Sequence, residues 1–211
     1  MDLAEKYKSI VRLVKSTDAR IVAHQVAEDL FPGAEYDSMR LRLKAVARFN
    51  PTVNELFFAR EVVLLEEFST IVAFEHAGEV TGLFERHPDR HRNVCLVNCG
   101  GKPNIRGFQE ILNRFNIAYR VVYHADRGNA ASEAESGRIN ARAEHNAAAM
   151  VFAVEPQDLE TLLGYQAPSK DKSFIAYQRV GELHDRDSLP TAFIEALNMV
   201  YFGSAEEPAA Q

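Results

Sequence analysis

The stretch Glu61-Val-Val-Leu-Leu-Glu66-Glu67 decides the fold, because four apolar residues in a row stop at two adjacent carboxylates. The run is too short for a helix of its own and is β-branched or aliphatic, so it predicts a strand buried on both faces. Such strands belong to parallel sheets, which place their chemistry at the carboxyl ends of the strands. Glu66 or Glu67 would lie at that edge, where a carboxylate can bind a metal or move a proton. The alternative is that both acids only solvate the strand end.

Three further apolar runs predict strands of the same kind, at residues 94–98, 119–123 and 150–154. Helical patterns separate or follow these strands, around residues 71–74, 105–116, 158–164, 173–183 and 189–202. A polar segment rich in Ala and Glu, residues 130–149, is a loop or a helix. The alternation of strands and helices predicts an α/β fold with a mostly parallel four-stranded sheet and right-handed crossovers.

The segment before this sheet, residues 1–50, has few strand signals and predicts helices. A helical stripe of apolar residues covers 2–14, and Asp18 is placed to cap a second helix that carries Ile21, Val22, Val26 and Leu30. A third helix is expected from Asp37 or Ser38 to about Ala47. Residues 51–203 are then the α/β domain with its C-terminal helices, and 204–211 a flexible tail.

Composition is typical of a soluble globular protein, with 46% hydrophobic and 26% charged residues. The sequence has neither a membrane-length apolar run nor a signal-peptide core at its start, which predicts a cytoplasmic protein without membrane contact. The net charge of −6 argues weakly against nonspecific nucleic-acid binding. A local basic face is still compatible with it, although solvated helix faces are the favoured interpretation of the arginine clusters at 40, 42 and 48, at 86, 90 and 92, and at 138 and 142.

Cys95 and Cys99 lie four residues apart in an apolar segment. On a strand that spacing separates them by roughly 13 Å, which is too far for a disulfide. We expect two buried, reduced thiols, as is common in cytosolic proteins. A zinc site at His87 and His91 is not favoured, because a proline lies between them and no cysteine is near.

Several short motifs occur in an order that resembles a known family. They are Phe57-Phe58-Ala59, the strand that ends at Glu66, Gly100-Gly101-Lys102-x-Asn104-Ile105 at a helix start, an aspartate-containing turn at 124–129, and Asp158-Leu159-Glu160 before Gly164. Over residues 45–183 the chain resembles the Toprim nuclease domain of the OLD (overcoming lysogenization defect) family of endonucleases. The resemblance implies a Toprim fold and a metal-dependent DNA endonuclease that acts with an ABC-type ATPase, often in defence against phage.

The resemblance also implies roles for individual residues. Glu66 and Lys172 are the expected catalytic residues, and Lys172 would stabilise charge that develops on the scissile phosphate. The expected ligands of Mg²⁺ or Mn²⁺ are Glu66, Asp126, Glu160 and His124. The expected phosphate or DNA contacts are Gly100, Gly101, Lys102 and Asn104.

Two positions depart from the family pattern. Glu67 stands where a glycine is usual, and the usual Asp-x-Asp pair is reduced to a single aspartate in His124-Ala125-Asp126-Arg127-Gly128. Imidazole is a poor Mg²⁺ ligand and a better one for Mn²⁺ or Zn²⁺. Glu133 or Glu135 could supply the missing carboxylate.

The expected partners are DNA, a separate ABC-type ATPase and other copies or subunits in an oligomer. The ATPase is expected as another chain because this sequence has no Gly-x-x-x-x-Gly-Lys-Ser/Thr phosphate loop. The alternative function is a degenerate Toprim domain with weak or no catalysis that serves as an assembly subunit of a defence complex. A Rossmann-type nucleotide site is disfavoured, because Gly-x-Gly-x-x-Gly is absent.

Overall fold

The fold is built on a four-stranded sheet. In the computed structural model, which describes residues 6–15, 18–154, 158–166, 170–183 and 188–209, the strands are β1 (Val11–Lys15), β2 (Ile21–Gln25), β3 (Glu61–Leu65), β4 (Val94–Asn98), β5 (Tyr119–His124) and β6 (Ala149–Val154). The main sheet has the order β4-β3-β5-β6, and all of its pairings are parallel. This confirms the predicted α/β architecture, which is that of a Toprim fold.

Helices cover both faces of the sheet. Those of the described residues are α1 (Asp37–Phe49), α2 (Phe68–Val80), α3 (Leu83–Arg86), α4 (Pro88–Asn93), α5 (Lys102–Arg114), α6 (Ala130–Ala143), α7 (Leu159–Leu162), α8 (Lys172–Glu182) and α9 (Thr191–Phe202). Helix α5 begins three residues earlier than its apolar pattern predicts. Pro103 suits this position, because proline is preorganised for the first helical turn, where its missing N–H is not needed.

Strand β3 is buried on both faces, as its sequence predicts. Val62 and Leu64 pack in a core that also contains Phe108 of α5, whereas Val63 and Leu65 pack in the core on the opposite face. Burying an aliphatic side chain of this size stabilises the fold by about 1.5–3 kcal/mol. The apolar run therefore places Glu66 at the centre of the sheet's carboxyl edge.

The first two helices predicted in residues 1–50 are wrong where the structure describes them. Strands β1 and β2 pair as an antiparallel hairpin, with Val14 opposite Val22. Val11 and Leu13 lie two residues apart and therefore on one face of β1. Ile21 and Val22 of β2 are β-branched, which suits the pleated surface of a strand. Residues 2–5, 16 and 17 lie outside the described residues. The third helix is confirmed as α1.

Part of this N-terminal segment packs on the main core of the chain. Phe31, and Leu43 and Ala47 of α1, belong to the same buried cluster as Val62 and Phe108. Arg12 of the hairpin donates hydrogen bonds to the carbonyl oxygens of residues 115 and 116, which follow α5. The segment is thus continuous with the α/β core in its packing.

Glu207, near the C-terminal end, contacts residues of α3 and the turn after it, whereas the sequence predicted a flexible tail over 204–211. The Glu207 carboxylate accepts hydrogen bonds from Arg86 at 2.9 Å and contacts the ring nitrogen Nε2 of His87 at 3.1 Å.

The ring of His91 stacks on Phe84 with 4.2 Å between centroids. The two histidines therefore have separate packing roles, and residues 210 and 211 lie outside the described residues.

Both cysteines are free and buried, as predicted. Burial raises the pKa of Cys95 to about 11, so its thiol stays protonated near neutral pH. Within the residues that the structure describes, none of the helices combines the length and the apolar character that a membrane span requires.

Candidate functional site

The central pair of the site joins the ends of two neighbouring strands. Glu66 follows β3, and His124 is the last residue of β5. The backbone N–H of His124 donates to Glu66 Oε1 at 3.3 Å, and its ring nitrogen Nδ1 lies 3.4 Å from Glu66 Oε2. Both residues are more than 90% buried, so the carboxylate and the imidazole hold each other in place.

The glycine turn after β4 is hydrogen-bonded to Glu66, at the end of β3. Gly100 and Gly101 have φ angles of 69° and 114°, which favour glycine, and Gly101 N–H donates to the carbonyl oxygen of Glu66 at 2.7 Å. The side-chain amide of Asn104 donates to the carbonyl oxygens of Cys99 and Gly100 at 2.9 and 2.7 Å. Asn104 therefore braces the turn, and its expected role in phosphate or DNA binding stays a prediction.

Lys102 lies beneath the turn in a network of its own. Its ammonium donates to the carbonyl oxygen of His124 at 2.8 Å, to Asp126 Oδ2 at 3.2 Å and to Ser132 Oγ at 2.7 Å. Ser132 in turn donates to Asp126 at 2.7 Å, and Nζ lies 4.6 Å from the centre of the Tyr123 ring. The Lys102 side chain is only 7% exposed, so its three acceptors hold it inside the protein. Its contact with phosphate stays a prediction.

A second group of charges faces the Glu66 edge from the C-terminal part of the chain. The Lys172 ammonium lies 3.6 Å from Glu67 Oε2 and 3.8 Å from Glu160 Oε1. Glu160 is buried in α7, whereas Lys172 is about half exposed. The structure therefore brings Lys172 and Glu160 together, although they are distant in sequence from Glu66.

Comparison with known proteins assigns the central part of the chain. Residues 57–126 match the family model described as the Toprim domain of overcoming lysogenization defect protein-like proteins. These residues are an OLD-like Toprim domain. The matched segment contains Glu66, the glycine turn, Lys102 and Asp126, whereas Glu160 and Lys172 lie beyond it.

A curated relative extends the similarity past this Toprim domain. An OLD nuclease from Thermus scotoductus (strain ATCC 700910 / SA-01) is 29% identical over 214 residues, an alignment that covers 90% of this chain. The chain spans 38% of the length of that relative. The comparisons therefore support a nuclease family, with the Toprim domain as its part in this chain.

The surroundings of Tyr165 reveal the electrostatic character of the Toprim site. Burial raises the pKa of Tyr165 to about 12, and the negative charges of Glu160, Asp158 and Glu67 add to the shift. Its hydroxyl is buried and has no hydrogen-bond partner among the described residues. Three carboxylates thus create a negative potential beside Lys172.

Asp158 is both an electrostatic and a structural member of this group. Its carboxylate caps α7 by accepting a hydrogen bond from Thr161 N–H at 2.6 Å. Burial by itself would raise the pKa of Asp158, but the hydrogen bonds from Thr161 and the charges of His124 and Lys172 outweigh it and lower the pKa. Asp158 is therefore ionised at neutral pH.

The carboxylates of the site are chemically suited to a divalent cation, but the described side chains do not form a complete metal-binding site. Within the described ranges, no three histidines, cysteines or acids lie together as metal ligands. Mg²⁺ commonly binds through one or two carboxylates and takes its other ligands from water and phosphate oxygens. Glu66, in contact with His124, offers one such carboxylate, and Glu160 beside Lys172 offers another. Asp126 is held by Lys102, so its role as a ligand stays a prediction.

Glu133 and Glu135 are both engaged in contacts with other residues of the protein. Glu133 accepts a hydrogen bond from Gly128 N–H at 2.9 Å, and Glu135 forms ion pairs with Arg106 and Arg138. Both contacts belong to the structure around α6. These contacts therefore do not support the suggestion that Glu133 or Glu135 supplies the carboxylate of the missing aspartate.

Sequence reasoning missed the two hydroxyl residues of the site. Ser132 lies in the first turn of α6, where Asn129 accepts a hydrogen bond from its N–H at 3.2 Å. The pattern Asn-x-x-Ser marks a helix start, and it could have placed Ser132 beside Asp126. Tyr165 follows Gly164, and no local pattern points to it.

Glu67, which stands where the family usually has a glycine, causes no backbone strain, because its φ of −130° suits any residue.

Proposed function

We propose that this chain is the nuclease part of an OLD-type enzyme and that it hydrolyses phosphodiester bonds in DNA with Mn²⁺ or Mg²⁺. The observation that supports this best is that Lys172 lies within 4 Å of both Glu160 and Glu67, the residue that follows Glu66 at the carboxyl edge of the Toprim sheet. A group of acids attracts a cation there, and an ammonium lies beside it. Both are requirements for stabilising a phosphate as it is attacked.

In this proposal Glu66 and His124, which are in contact at the strand ends, would hold the metal ion, and water and phosphate oxygens would supply its other ligands. The expected role of Glu160 as a ligand stays a prediction. The chemistry that such an ion supplies is the acidification of a water molecule and the neutralisation of charge on phosphate oxygens. Glu66 orients the imidazole of His124 through its contact with Nδ1. Lys172 is exposed enough to turn from Glu160 to a phosphate oxygen, where its charge offsets the one that develops during cleavage.

The ligand chemistry favours Mn²⁺ over Mg²⁺, because one expected aspartate is replaced by His124. We expect His124→Asp to shift the preference toward Mg²⁺, since two carboxylates would then face each other at the ends of β3 and β5. The ratio of plasmid nicking rates in Mg²⁺ and Mn²⁺ measures this shift. The result that would contradict it is equal activity with both ions in the parent protein and no change in the variant.

The second candidate is a Toprim domain without catalysis that acts as an assembly subunit. It is favoured by the pairing of Asp126 with Lys102, which occupies a carboxylate that a second metal would need. A plasmid that stays intact with either ion, together with stable binding of a partner subunit, would support this candidate over the nuclease.

Coupling to an ABC-type ATPase and a role in defence against phage are further parts of the proposal. The 211 residues contain no ATP-binding loop, so such an ATPase lies outside this sequence. We propose that the two act in one cytoplasmic complex. Stimulation of nicking by the ATPase with ATP would support the coupling, and a rate unchanged by both would contradict it.

A further inference from the structure

A groove lined by several arginines runs along one side of α5. It consists of two adjoining cavities of about 410 and 360 Å³ that share Arg142 as a wall. Arg42, Arg106 and Tyr36 also line the first cavity, and Arg114 and His145 line the second. The groove therefore joins arginines from α1, α5 and α6. The sequence analysis placed Arg42 and Arg142 in separate clusters and interpreted both clusters as solvated helix faces.

The groove follows α5 from its beginning to its end. The lining residues of α5 are Pro103, Arg106, Glu110, Asn113 and Arg114. Pro103, Arg106, Glu110 and Arg114 follow one another at intervals of three or four residues, which places them on one face of the helix. At 1.5 Å per residue, a helix of 13 residues is roughly 20 Å long. Its first turn contains Lys102, so one end of the groove opens next to the Toprim site.

Buried glutamates position two of the arginines. Arg106 forms an ion pair with Glu135, whose side chain is 8% exposed, and Arg142 forms one with Glu110, whose side chain is 12% exposed. A guanidinium has five N–H donors, so a pair with one carboxylate leaves donors for a second anion. These contacts fix the direction in which the two arginines point.

The lining of the groove contains more arginines than acids, in contrast to the whole chain. Four arginines line it together with two glutamates, Glu35 and Glu110, whereas the chain carries −6. Two glutamates outside the lining also pair with these arginines, Glu135 with Arg106 and Glu28 with Arg114. Arg42 is exposed and takes part in none of the ion pairs found within the described residues. Such a surface suits a ligand with several negative charges in a row.

We infer that this groove binds the sugar–phosphate backbone of DNA and leads the strand to the Toprim site. The inference rests on the proposed function for the choice of DNA as ligand. One strand of a duplex carries a phosphate for about every 3.4 Å of axis, so the groove matches roughly five successive phosphates. Arginine is the side chain best suited to bidentate contacts with them.

The test measures binding of a short fluorescent DNA duplex by anisotropy, in EDTA and at several salt concentrations. We expect the double variant Arg42→Gln/Arg114→Gln to bind about tenfold more weakly and to lower the slope of log K against log salt by about two, one for each phosphate contact. Arg48→Gln is the control for the Arg42→Gln half of the double variant, because it removes one positive charge from the same helix, α1, at a position outside the groove. It should bind like the parent.

Several outcomes would overturn the inference. They are a parent chain that binds no DNA, a double variant with an unchanged salt slope, and a control that loses as much affinity as the double variant. EDTA prevents cleavage, so binding is measured independently of catalysis. A parent that binds through the groove but never cuts DNA would contradict the proposed nuclease alone. A parent that cuts DNA while the double variant binds normally would contradict the groove alone.

Discussion

Replacing Glu66 by glutamine is expected to reduce plasmid nicking at least a hundredfold with little change in thermal stability. The reduction follows if Glu66 acts as a metal ligand or as a general base, since loss of such a group typically costs 10²–10⁴-fold in rate. Stability should change little because glutamine has the same shape and its amide oxygen can still accept the N–H of His124. Initial nicking rates and thermal melting of the same preparations measure the two effects.

The control for this variant is Glu85→Gln. Glu85 is an exposed glutamate in α3, which leads through α4 to the start of β4, at the opposite end of the sheet. It loses the same charge and should keep the parent rate. Full nicking activity in Glu66→Gln would remove Glu66 from the mechanism, and an equal loss in Glu85→Gln would mean that net charge alone matters.

Lys102→Met is expected to destabilise the protein by about 2–3 kcal/mol, which lowers Tm by roughly 5–10 °C in a chain of this size. The substitution removes the cation that Asp126, Ser132 and the carbonyl oxygen of His124 share inside the protein. The cost is below that of a fully buried pair, because Asp126 is 34% exposed and water can partly solvate it. Thermal or urea unfolding of the purified variant measures it.

Lys172→Met provides the comparison, because it also removes an ammonium from the site. Lys172 is about half exposed, and its distances to Glu67 and to the buried Glu160 are 3.6 and 3.8 Å, longer than a hydrogen bond. The expected loss of stability is therefore below about 1 kcal/mol. Its nicking rate should fall, since Lys172 is the ammonium that can reach a phosphate. Equal stability losses in the two variants would contradict the structural role given to Lys102.

The sheet was predictable from sequence because each of its strands is a short apolar run between polar boundaries. The run before Glu66 is apolar at every position and too short for a helix of its own, so it predicts a strand that is buried on both faces. The hairpin was not predictable in the same way. Val11 and Val14 fit a helical spacing as well as a strand, and only pairing with β2, a contact between separate segments, decides between them.

The places of Glu66 and of the glycine turn in the fold were predictable from sequence, but the contacts around them were not. The strand-end position of Glu66 follows from local sequence, and so does the glycine turn. The pairing of Lys102 with Asp126 depends on how the first turn of α5 faces the end of β5, which no local pattern encodes. For the same reason, sequence alone could not tell that Glu135 pairs with Arg106 of the groove and with Arg138.

The central claim is that the Toprim edge of this chain cuts DNA with a divalent metal. Nicking of supercoiled plasmid by the purified parent protein in Mn²⁺, in Mg²⁺ and in EDTA tests it most directly. The account predicts open-circular product that forms fastest in Mn²⁺, more slowly in Mg²⁺ and not at all in EDTA. A plasmid that stays supercoiled with both ions, or one that is cut equally well in EDTA, would contradict it.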